Sequence, residues 1–398
     1  AAAALALGSM GPEAGTAVPT LLTMIKDADA YVRGSAALAL GGIGGDPKVI
    51  IPALGSLVTD KTEYARLSAV RALETFSAEA EAVARAVAPA LKDKSIRVRT
   101  KVTEILGELG PAAVPAFLDA IKDADEDVRR AGLEGLRRLG PSAKDAVPTL
   151  SRLLKDKDDG VRRLAAEVLR EIGPDAVAAL AALAGALKDP DAAVRSNVAQ
   201  ALGAIGEPAI PALMQALGEK DVELRAAAAE AVGRIGPKAK AAIPMLIEAL
   251  KSSSETLRAS AAFALSRMGK EAEPAVPVLA AALRDKNEQV RLHAAQALGR
   301  IGKPAIPALA EALRDKGLYA RPLAVEALAQ IGEPAVPALI EALKDSARHA
   351  RQAAAAALEK IGPDAEAAIP GLKAALKDED GGVRRAAQAA LKAIQSDR

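Results

Sequence analysis

An arginine returns along this chain at Arg33, Arg66, Arg99, Arg129, Arg162, Arg195, Arg225, Arg258, Arg291, Arg321, Arg351 and Arg384, always 33 or 30 residues after the last. So regular a period admits few folds. It predicts an array of like pieces, none able to bury its own apolar face, stacked so that neighbours share one continuous core. Each repeat reads as two short amphipathic helices, for instance "AVPALIEAL" (Ala335 to Leu343) and, after "KD", "ARQAAAAALEKIG" (Ala350 to Gly362).

The helix ends are marked by residue type. Proline opens the first helix at Pro19, Pro52, Pro115, Pro148, Pro211, Pro244, Pro277, Pro307, Pro337 and Pro370, where its missing N–H would have had no partner. Glycine closes the second helix at Gly44, Gly110, Gly140, Gly173, Gly206, Gly236, Gly269, Gly302, Gly332 and Gly362, and is expected in the left-handed stop conformation. Between them Val32, Ala36, Leu40 and Ile43 keep a three-to-four spacing, which makes that stripe the core. Only 2% of residues are aromatic and there is no Trp or Cys, so the core is built of Ala, Leu, Val and Ile, and strong helix formers dominate throughout. Repeat length varies in the connector: "GEPAIPAL" (Gly206 to Leu213) is three residues shorter than "GPKAKAAIPML" (Gly236 to Leu246).

A carboxylate precedes the arginine by six residues at Asp27, Asp60, Asp93, Asp123, Asp156, Asp189, Asp285, Asp315, Asp345 and Asp378, with Glu219 and Ser252 in the other two repeats. The spacing sets the acid at the turn and the guanidinium one turn into the second helix, within reach of carboxylates of its own and the adjacent repeat. It predicts a ladder of charge-assisted hydrogen bonds, with Asp also serving N–H groups at the start of the second helix. Catalysis needs one distinctive site, so a motif in twelve copies is scaffold.

The pattern "P-A-L-x-x-A-L-K-D-x-x-x-x-V/A-R-x-x-A-A-x-A-L-x-x-I-G" resembles HEAT repeats of the short type associated with phycobilisome lyases, an armadillo-like α-solenoid, over essentially the whole chain. The resemblance implies an all-α, right-handed α-solenoid of about twelve two-helix repeats plus a truncated N-terminal half repeat, second helices lining the concave side and first helices the convex side. It is poorly specific for activity, because the family includes scaffolds, chromophore lyases, a hydroxylase and nucleic-acid binders.

A single solenoid over residues 1–398 is expected, with 1–11 a partial repeat whose arginine falls before residue 1 and 384–398 a C-terminal capping helix. Two repeats lack the opening proline, Ser77 to Asp93 and Pro174 to Asp189, and their first helices should be longer or bent. The run Ala176 to Leu187 is apolar all round. At "KSSSETLR" (Lys251 to Arg258) the ladder loses its carboxylate and a softer joint is expected.

The chemistry that sequence could declare is absent. The two histidines, His293 and His349, lack metal-ligand spacing, which also disfavours the His-Glu dipeptides of the hydroxylase branch. "GGIGG" (Gly41 to Gly45) has no Lys-Ser/Thr after it and no strand before it, and no nucleophile elbow is present. Lys plus Arg (53) nearly cancel Asp plus Glu (51), removing the broad positive field of a nucleic-acid binder. No apolar run reaches the roughly 18 residues of a membrane span. No metal or cofactor is expected.

What distinguishes one repeat from another is the exposed row of the second helix. Glu134 with Arg138 and Glu230 with Arg234 have ion-pair spacing. Arg234, Arg267 and Arg300 form a basic strip with Phe263 among them, the composition of an interface anchor. Tyr31, Tyr64 and Tyr319 stand two residues before the arginine, at the rim. The expectation is a non-enzymatic, cytoplasmic scaffold, monomeric or weakly oligomeric, that binds a protein or peptide on its concave face and neither nucleic acid nor membrane. Alternatives are a phycobilin-lyase-like or other small-molecule-handling protein, against which the scarcity of aromatics counts, and a designed or consensus-like scaffold without native function.

Overall fold

A computed structural model describes residues 1–317 and 319–395, and these contain helices and turns with no strand. The fold is an all-α solenoid. Its contacts divide into two compact halves, Ala1–Ala201 and Leu202–Arg398. In the first, second helices Ala30–Ile43, Glu63–Glu74, Ile96–Glu108, Glu126–Leu139 and Asp159–Ile172 pack each on the next. In the second, Val222–Ile235, Glu255–Met268, Glu288–Ile301, Ala320–Ile331, Arg348–Ile361 and Gly381–Gln395 do the same. Helix Ala2–Ser9 packs on Ala30–Ile43 in the manner of the later second helices. The last described helix is Gly381–Gln395; of the stretch 384–398 expected to cap the array, residues 396–398 fall outside the described residues.

Small residues let second helices touch backbone to backbone. A Cβ added at Gly41 would lie 2.8 Å from the Cα of Ala72, and one at Gly233 equally close to Ala264. The core is the expected stripe: Leu40, Leu73, Leu106, Leu265, Leu298 and Leu358 are fully buried.

Most first helices are seven or eight residues long, enter through a 3₁₀ turn and carry proline in their first turn, as in Val114–Ala120 with Pro115. Pro52 is the exception. Its helix, Pro47–Gly55, opens on Pro47 behind Asp46, whose carboxylate accepts the Lys48 N–H at 3.0 Å, so Pro52 lies inside it. The stop glycines have positive φ as expected, but Gly302 (φ 82°, ψ −135°) and its counterparts sit in the extended mirror region and not in the left-handed helical well. That region is open to glycine almost alone, and it sends the chain straight into the 3₁₀ turn.

Of the two repeats without an opening proline, one is bent: helix Ala80–Val87 gives way to a 3₁₀ segment, Ala88–Lys92, at Pro89. The other is ordinary, with a 3₁₀ turn Gly173–Ala179 and helix Leu180–Ala186 that is neither longer nor bent. Its apolar run turns Ala176, Ala179, Leu183 and Leu187 inward and leaves Val177 as the large apolar residue outside, so it forms no greasy strip.

Candidate binding face

The charge ladder defines which surface is scaffold. Guanidinium Nη1 groups donate to backbone carbonyls of their own turn, Arg33 to Asp27 at 2.8 Å and Arg351 to Asp345 at 2.9 Å. Carboxylate pairing runs to the next repeat: Arg33 grips Asp60 through Nε (2.8 Å) and Nη2 (2.9 Å). Arg66–Asp93, Arg129–Asp156, Arg162–Asp189, Arg258–Asp285 and Arg351–Asp378 repeat the pairing. Each Asp also accepts the N–H two residues on, Thr62 for Asp60 at 2.9 Å, which is the residue that caps the second helix and not the helix itself. Burial would raise the Asp60 pKa, but the Arg33 guanidinium and the N–H and hydroxyl of Thr62 outweigh it and hold the group at about 2.

All six of those rungs cross 33-residue steps. Where the step is 30 residues the connector is shorter, Lys303–Ala305 against Gly140–Ala146 for example, and at three of the four such steps the acid changes partner. Asp123 pairs with Lys92, Asp315 with Arg284 and Asp345 with Arg314, in each case the cation just before the preceding Asp. Arg291 and Arg321 hold their own turns through Nη1, Arg291 also lies 3.9 Å over the ring of Tyr319, and Arg99 reaches Asp127 of the next repeat at 3.6 Å.

The ladder leaves the outer face of the second helices to variable side chains. Glu134 meets Arg137 in a bidentate pair (2.9 and 2.7 Å), three residues on, while Arg138 stays at 3.7 Å. Sequence spacing had favoured the fourth residue, and Arg137, which holds the Glu134 carboxyl below its usual range, was the partner missed; an i, i+3 pair is as readable as i, i+4. Glu230 and Arg234 pair at 2.8 Å as expected. Arg267 is exposed and makes no side-chain hydrogen bond or ion pair among the described residues, and Arg300 donates to the Ser266 carbonyl at 3.0 Å. Phe263 is half-buried, lying across Gly233 with its ring 5.5 Å edge-on to His293.

At the rim Tyr31 and Tyr64 stack with centroids 5.0 Å apart. The ring of Tyr64 covers Gly34, where any Cβ would collide with it, whereas Tyr31 is 67% exposed. Tyr319 is exposed under Arg291. Beyond the residues the sequence suggested, an open cleft of about 360 Å³ crosses three successive second helices. Ile96, Ala131 and Leu164 give it apolar surface; Arg99, Asp127, Arg130, Glu134 and Arg138 give it charge of both signs. Ile96, 68% exposed, carries the readable signal: an aliphatic residue on the first turn of a helix that has no core contact to make there. Among the described residues no cluster of His, Asp and Glu could hold a metal ion, and no helix is long and apolar enough to cross a membrane.

The sequence profile of HEAT repeats matches residues 1–74, 51–137, 114–187, 180–266, 243–321 and 318–392, and the chain belongs to that family. Among solved structures it is similar to importin beta in an ammonium sulfate condition (15% identity, TM-score 0.57, 94% of this chain and 62% of that one). It is similar also to the karyopherin Kap121p bound to the extreme C-terminus of the protein phosphatase Cdc14p (15%, 0.58, 95% and 49%), and to Kap121p bound to Nup53p (17%, 0.57, 96% and 49%). The chain thus spans about half to three fifths of these proteins, and the likeness is one of fold. No curated protein matches it significantly.

Proposed function

We propose that this protein is a non-enzymatic scaffold that binds a protein or peptide segment along the exposed face of its second helices. The observation that carries the reading is the cleft over Ile96, Ala131 and Leu164: apolar surface lined by both charge signs, on helices whose own stability is secured elsewhere, by the ladder and the core. A groove of that kind suits a segment with an aliphatic anchor flanked by charge. Kap121p, whose fold is similar, is bound in solved complexes to the extreme C-terminus of the protein phosphatase Cdc14p and to Nup53p, which supports the same mode of use.

In the C-terminal half Glu230, Arg234, Arg267, Arg300 and Phe263 are the corresponding contact residues, and Tyr31, Tyr64 and Tyr319 are rim contacts. The assembly is a monomer or weak oligomer and needs no cofactor. Selection of displayed random peptides on the immobilised protein tests this. Enriched peptides should lose about tenfold or more in affinity with Ile96→Glu/Leu164→Glu or with Arg234→Glu/Arg267→Glu/Arg300→Glu. Binding to both variants as tight as to the wild type, or no enrichment, overturns the reading.

A further inference from the structure

One rung of the ladder is missing although the turn that would carry its acid is intact. The step from Arg225 to Arg258 is 33 residues, so Ser252 stands where the six other such steps place the aspartate. The turn is built as in those repeats. Arg258 donates through Nη1 to the carbonyls of Ser252 (2.9 Å) and Ser253 (3.0 Å), and the Ser254 N–H donates to Ser252 Oγ at 3.2 Å, the place of the carboxylate oxygen elsewhere. What is lost is the charge facing the preceding repeat. Arg225, with no carboxylate to grip, turns Nε to the Leu217 carbonyl at 3.1 Å, and its terminal nitrogens have no acceptor among the described residues.

We propose that Ser252 is a phosphorylation site, and that its phosphate completes the rung to Arg225. Phosphoserine carries more charge than aspartate and three acceptor oxygens, and a guanidinium takes two of them side by side. Ser252 is half-buried, but Lys251, Ser253, Glu255 and Thr256 around it are exposed, and Lys251–Ser254 lies outside the helices, so the segment is open to a kinase. The donor is a nucleoside triphosphate held by a serine kinase. Ser252 Oγ attacks the γ-phosphorus, the bond to the bridging oxygen breaks, the diphosphate leaves and the hydroxyl proton passes to the kinase's base. The joint between these two repeats is then under covalent control. The proposal stands apart from the binding function.

Full-length protein carrying phosphoserine genetically encoded at 252 should show amide exchange across residues 217–225 and 252–258 slowed on the order of tenfold, the scale of a charge-assisted hydrogen bond. The slowing should vanish in Arg225→Gln. Phosphoserine at 253, one residue off the rung, should have no such effect. Unchanged or faster exchange with phosphoserine 252, equal slowing in Arg225→Gln, or equal slowing from position 253 overturns the proposal.

Discussion

Two side chains show how much single positions carry. Leu298 is fully buried, so Leu298→Ala should cost about 2 to 5 kcal/mol in chemical denaturation. Asp60 carries the pH dependence. Its folded pKa of about 2 lies below the ordinary 3.8, so its rung contributes in full above the ordinary value and is lost as pH falls toward the folded one. Replacing it with asparagine deletes that contribution at neutral pH. The stability gap between wild type and Asp60→Asn should therefore close between about pH 4 and pH 2, followed by denaturation at each pH; a gap unchanged at pH 2 would refute the assignment.

At the scale of helices and connectors, the sequence spoke clearly about ends and ambiguously about partners. Proline and glycine placed nearly every boundary because each acts through its own backbone. The carboxylate partner was hidden by periodicity itself: with a 33-residue repeat, an acid six residues before one arginine is 27 after the previous one, and both separations recur equally. Only packing separates them, and it gives the backbone carbonyl to the near arginine and the carboxylate to the far one. The change of partner at short connectors predicts its own test. Trimming Gly140–Ala146 to the short form should move Asp156 from Arg129 to Lys122. A crystal structure of the deletion variant with Asp156 still on Arg129 would contradict the connector rule.

For the whole chain, stability is a sum over repeats and the interfaces between them, so unfolding need not be all-or-none. Without phosphate, the amides of 252–258 should exchange faster than those of 285–291, where Asp285 pairs with Arg258; equal protection would mean the missing rung costs nothing. The candidate binding face was the least legible part. Glu230 with Arg234 could be read from spacing within one helix, whereas the cleft joining Ile96, Ala131 and Leu164 draws on three helices, and no local rule connects residues so far apart in sequence.

Ten of the twelve ladder positions are preceded directly by Lys or Arg, so most turns already hold the spare cation that a short connector calls on. A copying error that drops or restores three residues there finds its counter-ion waiting and requires no second mutation. Arrays built this way can drift in length between generations while most joints stay anchored, which leaves inheritance free to reposition the outer surface.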